Sequence, residues 1–280
     1  EIVAPGAYIN TTQNNAGYNF TSGTSYAAPH VSGAAALLLQ KNPDLHHHEI
    51  KSLLLTTVQP VSDAYGKEFS IHEAGAGRLD IGNAYGAKLI IEPPNFVAFA
   101  SSDDKIVERQ FQLKSIDGTW DGFDVTFDGP EFIKFEGELS DGNILKIRMS
   151  VLEDNFGDHE GTIMINHEGT QYRVPFLLHY TQGSVSVNAQ NEKLFFEIYH
   201  PEEWSFAKIS VINSKDGNVH TTTTTPDKKA SIEIYENSEY WIDAKIRVNG
   251  NTSNAFSTIE INSLDENQSI INKINIPEKQ

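Results

Sequence analysis

Ser25 stands where residue type and spacing set up a nucleophile. Small turn-forming residues precede it: Thr21, Ser22, Gly23 and Thr24. An apolar run follows: Ala27, Ala28, Val31, Gly33, Ala34, Ala35, Ala36, Leu37, Leu38 and Leu39. Ser, Thr and Gly ahead of such a run predict a helix start. The run is apolar on nearly all sides, which predicts a buried helix. Pro29 fits the first turn, where a missing N–H costs little. Ser25 is then expected at the mouth of the helix, facing the positive end of its dipole. Backbone N–H groups there are free to hold an oxyanion. The chemistry this allows is attack on a carbonyl carbon. A serine ahead of a helix is ordinarily only a cap, so the helix start does not decide between the two roles.

A serine hydroxyl needs a base to take its proton and a third group to orient that base. The 24 residues before Ser25 contain no Asp and no His. His30 lies five residues on, about 140° round a helix from Ser25, and is expected to be structural. His46, His47 and His48 are successive, so on a helix they diverge and make a poor single metal site. They read as a solvated helix start. His72, His159, His167, His179, His200 and His220 follow no metal-ligand spacing. Two acidic stretches, Asp117 to Glu131 with Asp121, Asp124 and Asp128, and Glu153 to Asp158, lack the spacing of an EF-hand loop and read as hairpin turns. Trp120, Trp204 and Trp241 read as partial core rather than as a carbohydrate or protein site.

The string Gly23-Thr24-Ser25-Tyr26-Ala27-Ala28-Pro29-His30-Val31-Ser32-Gly33 resembles the nucleophile segment of subtilisin-like serine proteases, G-T-S-x-A-x-P-x-V-x-G. Glu1-Ile2-Val3-Ala4-Pro5-Gly6 resembles the strand and turn upstream of that serine. Asn42-Pro43-Asp44-Leu45 with Glu49 to Leu54 resembles the next helix of the family. Gly75-Ala76-Gly77-Arg78-Leu79-Asp80 with Ala84 resembles its closing strand and helix. The resemblance covers about residues 1–88. It implies that Ser25 is the catalytic nucleophile. It also implies that the other catalytic groups, Asp, His and an oxyanion-hole Asn, lie upstream of this chain. Asn10, Asn14, Asn15 and Asn19 sit too close to the motif to be that Asn. No cofactor is needed for such chemistry; relatives bind structural calcium, but no calcium site can be placed here.

These residues must be held by elements that the first 88 residues cannot complete alone. A strand near Glu1 needs parallel neighbours, and parallel sheets are covered on both faces. Residues 7–22 are Asn/Thr-rich and read as a loop. Helices are predicted from about Ser25 to near Gln40–Asn42, over His46–Thr57 and over Ile81–Ala87, with a short strand at Ala74–Leu79. Ile91 to Asn95 reads as a linker. Beyond it period-two alternation takes over. Strands are predicted at 105–113, 123–128, 145–151, 160–167 and 172–178, then around Ala207–Val211 and Ile242–Val248. Pro175 suggests an edge strand. Thr221 to Thr225 reads as an edge strand or a loop. The polar residues 263–280 are expected to fray.

The expected fold is therefore multidomain: the C-terminal part of an α/β subtilisin-like domain over 1–88, then two mainly antiparallel β-sandwiches. The first, 89–182, resembles the fibronectin-type-III-like domains that follow some large subtilisin-like proteases. The second spans 183–280. The chain has no cysteine, so neither disulfides nor thiolate metal sites hold it. No apolar run is long enough to span a membrane, and no signal peptide is visible at Glu1. The net charge is −17. Residues 1–88 hold seven acids against five bases, so nearly all of that charge lies beyond them. It argues against nucleic acid or an anionic membrane as a partner.

The leading expectation is a secreted or cell-surface serine endopeptidase. Its partners would be a protein or peptide substrate and the upstream part of the catalytic domain, with a cell-surface or matrix ligand for the β domains. The alternative is a non-catalytic extracellular binding or spacer module joined to an inert protease remnant.

Overall fold

The computed structural model describes every residue except 15, 16, 119, 121, 122, 142, 191, 236, 262–271 and 277–280, with the backbone alone at 272–276. Asn15, Asp121 and most of the stretch 263–280 thus lie outside the described residues. The chain divides into two compact units. Unit 1 comprises Glu1–Val97, Glu108–Ser150 and Glu160–Leu177; unit 2 comprises Ala98–Val107, Val151–His159 and Leu178–Gln280.

The N-terminal part of unit 1 is a hairpin and four helices. β1 (Ile9–Thr12) and β2 (Tyr18–Thr21) pair antiparallel where a loop was expected. Then come α1 (Thr24–Lys41), α2 (His47–Thr56), α3 (Ile71–Ala74) and α4 (Ile81–Gly86). α1 and α2 begin and end close to their predicted bounds. The apolar face of α2 explains its register: Ile50, Leu53, Leu54 and Leu55 are all buried.

The strands that follow form two four-stranded sheets. One has β3 (Leu89–Glu92), β5 (Ile106–Ser115), β8 (Ile144–Val151) and β7 (Ile133–Ser140), in that order. The other has β4 (Phe96–Ser101), β10 (Thr170–Thr181), β9 (Gly157–His167) and β6 (Phe123–Asp128). A ladder of rings joins them. Phe127 stacks on Phe135 at 5.1 Å and on Phe176 at 5.5 Å; Phe96 meets Phe176 and Phe111, each at 5.7 Å. Glu168-Gly169 makes the two-residue turn between β9 and β10, both with positive φ, as a type I′ hairpin requires.

Two expectations fail here. Ile91 and Glu92 belong to β3 rather than to a linker, and Leu89, Ile90 and Ile91 are completely buried. The reason is that β3 is covered twice, by the sandwich core and by α2. Ser52 of α2 donates its hydroxyl to the Ile91 carbonyl at 2.7 Å and accepts the Ile91 N–H at 3.0 Å. The hydroxyl of Tyr172 accepts both the Lys88 and Leu89 N–H groups, at 2.9 and 3.1 Å. Burial pushes that phenol above its ordinary pKa. Every one of these partners is fixed by a core side chain, so the junction is ordered. The second failure concerns Pro175. Its strand β10 lies between β4 and β9, not at an edge. β4 has six residues against twelve in β10, so an interior strand keeps positions that need no donor.

In unit 2, one sheet has the order β15 (Ala230–Glu233), β12 (Lys193–Tyr199), β11 (Gly183–Gln190), β18 (Asn272–Ile276). The other has β14 (Val219–Thr224), β13 (Trp204–Asn213), β16 (Glu239–Val248), β17 (Asn251–Glu260). Both sheets feed one core, with Val185, Val187, Leu194 and Phe196 from the first and Ala207, Ile209, Val211, Ile242, Ala244 and Ile246 from the second. This is the period-two alternation of a sandwich. Trp204 packs against that core, while Trp241 remains exposed. The threonine run makes edge strand β14, and residues 272–276, expected to fray, pair with β11. Asn249 (φ 49°) and Gly250 (φ 81°) turn β16 into β17.

The acidic turn Glu153–Asp158 is tied down by neighbours of unit 2. Asp154 accepts from Lys105 and from the Tyr180 hydroxyl, and these bonds, the Lys105 one foremost, hold its carboxyl below the ordinary range. Asp158 pairs with His179.

Candidate active site

Three short segments, distant in sequence, meet at Arg78. Val3 bridges Arg78 in parallel, with Val3 N–H donating to the Gly77 carbonyl at 2.9 Å and Leu79 N–H to the Val3 carbonyl at 2.8 Å. Arg78 in turn bridges Gln59 antiparallel. The segments resembling the family's strand and closing strand are thus neighbours. The turn Ala4-Pro5-Gly6 then carries the chain against the entry to α1. Gly23 N–H donates to the Gly6 carbonyl at 2.7 Å. A Cβ on Gly6 would lie 2.9 Å from the Gly23 carbonyl oxygen and 3.2 Å from the Ala27 Cβ, so only glycine allows this approach. The Tyr8 N–H donates to the Ser22 hydroxyl at 2.9 Å and fixes the other flank.

α2 links this arrangement to the sandwich of unit 1. Lys51 pairs with Glu1 at 2.7 Å. Two residues earlier Glu49, only 3% exposed, accepts from Lys114 of β5 and from the His46 N–H. Burial opposes the charge on Glu49, but the Lys114 ammonium and the His46 N–H outweigh it and hold the carboxyl below its ordinary value. A carboxylate with a depressed folded pKa stabilises the fold above its unfolded pKa and loses that contribution as pH falls through the folded value. Glu49→Gln should therefore be less stable than the parent at pH 7. The gap should begin to close as pH falls past the ordinary glutamate value of about 4.3 and go on closing through the lower folded value. Urea unfolding of both proteins at a series of pH values measures this; a gap constant from pH 7 to 3 would contradict it.

Ser25 itself is the second residue of α1 and is exposed. The cap is Gly23, in extended conformation, and no side chain caps the helix. Ser25 therefore does not do the work of a cap. Among the described residues its hydroxyl has no hydrogen-bond partner. Its N–H falls in the first turn, where no residue four positions back can accept it. Pro29 lies in the second turn rather than the first. Its missing N–H is the one that would have bonded the Ser25 carbonyl. The backbone around Ser25 is thus open on both its donor and acceptor sides.

α1 is not buried, contrary to expectation. Within the described residues only Ala34 and Leu38 are fully covered, by contacts to α2 and α4; Leu37 and Leu39 are 42% and 41% exposed. Lys41 closes the helix by donating to the Tyr85 carbonyl and lying over its ring at 4.8 Å. Tyr8, Tyr18 and Phe20 of the hairpin region are also exposed. Helical patterning reports an apolar surface, not the presence of its cover.

The histidines do not converge. His30 Nδ1 donates to the Tyr26 carbonyl at 2.8 Å, one turn back in the same helix. His46 precedes α2, and its ring stacks on His48 at 5.5 Å. His48 also faces Glu92 at 3.5 Å. Among the described residues no three His, Cys, Asp or Glu side chains gather where they could hold a metal. No helix among them is long and apolar enough to cross a membrane.

The model of the subtilase family matches residues 1–86. The minor extracellular protease Vpr of Bacillus subtilis (strain 168) is 25% identical over 197 residues, covering 64% of this chain and 24% of that protein. Subtilisin DY of Bacillus licheniformis is 40% identical over 78 residues, covering 27% of this chain and 28% of that protein. Subtilisin-like protease 1 of Plasmodium berghei (strain Anka) is 39% identical over 84 residues, covering 30% of this chain and 13% of that protein. The chain thus spans between 13% and 28% of the length of these relatives. Among solved structures, titin domains A168–A170 align over 59% of this chain and 61% of theirs at 7% identity, with a TM-score of 0.24, too slight a likeness to carry an argument. The nucleophile motif, the bridged segments and the family match coincide over one stretch: residues 1–86 match the subtilase family, and antiparallel β-sheets follow them.

Proposed function

We propose that Ser25 is the nucleophile of a secreted subtilisin-like serine endopeptidase. In this reading Ser25 Oγ attacks the scissile carbonyl and forms an acyl-enzyme. An upstream His takes the Ser25 proton and passes it to the leaving amine, an upstream Asp orients that His, and water then hydrolyses the ester. The Ser25 N–H, at the positive end of α1, and an upstream Asn hold the oxyanion. No metal or cofactor enters the reaction. The upstream part of the catalytic domain also covers the apolar surface that α1 and the hairpin leave open. The domains fall at 1–88, 89–182 and 183–280, and the β domains position substrate or attach the enzyme to a surface.

The observation that carries this reading is the state of Ser25. It is exposed at a helix mouth, is relieved of capping by Gly23 and has no hydrogen-bond partner among the described residues. The same lack of a partner favours one alternative, an inert remnant carrying a binding module. The two separate on one comparison. The 280-residue chain alone should show no peptide hydrolysis, and the chain extended through its upstream segment should show it. An inactive extended protein with the Asp, His and Asn in place would favour the inert reading.

A further inference from the structure

The outer face of the sheet β14-β13-β16-β17 is built unlike the rest of this acidic chain. Paired positions on neighbouring strands share a face. The register sets Lys208 directly opposite Lys245, and Phe206 opposite Arg247. On the next strand Asn254 stands opposite Lys245, and Phe256 opposite Asp243. The alternate positions Ala207, Ile209, Ala244, Ile246 and Ala255 fill the core, so these side chains face outward. Three cations thus lie together in a protein of net charge −17.

They are poorly neutralised. Lys245 has Asp243 only at 3.9 Å, and neither Lys208 nor Arg247 has an ionic partner among the described residues. Like charges directly opposite across a sheet destabilise it. Two rings flank the cations: Phe206, 43% exposed, and Phe256, 62% exposed. Hydroxyl and amide groups complete the surface, with Thr223 opposite Lys208 on the threonine strand β14. An acidic pair, Glu239 opposite Glu260, stands at the far end of β16, beyond Trp241.

We propose that this face binds an acidic polysaccharide, one bearing carboxylates at intervals along the chain. Sugar rings offer apolar faces to Phe206 and Phe256, while their hydroxyls meet Asn254 and Thr223. Carboxylates meet Lys208 and Lys245, and Arg247 presents the fork that pairs a carboxylate through two parallel bonds. Nucleic acid fits less well. Its charge recurs about every 3.4 Å along a single strand and twice as densely in a duplex, and so dense a polyanion is repelled by the rest of the chain.

The test is calorimetric titration of the 280-residue chain with polygalacturonate, using dextran, phosphatidylglycerol vesicles and oligo(dT) for comparison. Polygalacturonate should bind, more weakly as salt rises, and the other three should not match it. Lys208→Gln with Lys245→Gln should weaken binding at least about tenfold, and Phe256→Ala about threefold or more. The double variant should melt at the parent's temperature or higher, because a like-charge pair has gone. Four results would each overturn the proposal: no binding of polygalacturonate, unchanged binding in the double variant, equal binding of oligo(dT), or preference for the vesicles.

Discussion

Ser25→Ala in the protein carrying its upstream segment is expected to lower kcat for peptide hydrolysis by about 10⁴-fold or more, the scale on which loss of a triad member acts in serine proteases. KM should change little, because the hydroxyl acts in bond making rather than in holding the substrate. Gly23 caps α1, so the serine side chain contributes no capping bond that its loss would remove. The fold should therefore survive the substitution, and circular dichroism and melting should match the parent. Ser32→Ala is the control. That hydroxyl lies two turns on, also exposed, and bonds the Ala28 carbonyl at 3.3 Å within the same helix. Its loss should leave kcat within about twofold, as for a surface change away from the reacting atoms. Equal losses in the two variants would show that α1, not the Ser25 hydroxyl, is what activity requires.

The second large effect is on stability. Phe176→Ala should cost about 3–5 kcal/mol, by lost transfer energy and by the cavity left behind. Phe176 is 1% exposed and touches the rings of Phe96 and Phe127, which continue the ladder to Phe111 and Phe135 on the facing sheet. Its surroundings resist collapse. Gly161 approaches so closely that a Cβ there would lie 2.6 Å from the Phe176 ring. Leu139→Ala, at a residue 45% exposed on β7, should cost no more than about 0.5 kcal/mol. Urea unfolding of both variants checks the contrast, and losses of similar size would contradict a core centred on Phe176.

Much of this architecture is legible in the sequence because each element carries its own signal. α1 and α2 have helical spacing and clear ends, and the sandwich strands alternate with period two. The Ser25 segment is readable at still higher resolution, since its spacing is set by the close approach of Gly6, Gly23 and Ala27. What escapes the sequence depends on neighbours. β3 is buried on both faces and so lacks alternation, and the prolines after it suggest a linker. The hairpin of β1 and β2 is built from Asn, Thr and exposed aromatics, whose composition is that of a loop. The exposure of α1 reflects which chain segments surround it, something its own residues do not encode. Asn249-Gly250, by contrast, is the strongest kind of short-range hairpin mark, and it turns β16 into β17. The link from Glu49 to Lys114 lies across 65 positions, and nothing local announces it.

Covalent labelling shows whether Ser25 is an activated nucleophile. The protein extended through its upstream segment is treated with a fluorophosphonate, and the adduct is located by peptide mass mapping. The account predicts one adduct per chain, on Ser25, absent from Ser25→Ala and from the 280-residue chain alone. An unlabelled Ser25 in an extended protein that hydrolyses peptides, or an adduct on a different serine, would contradict it.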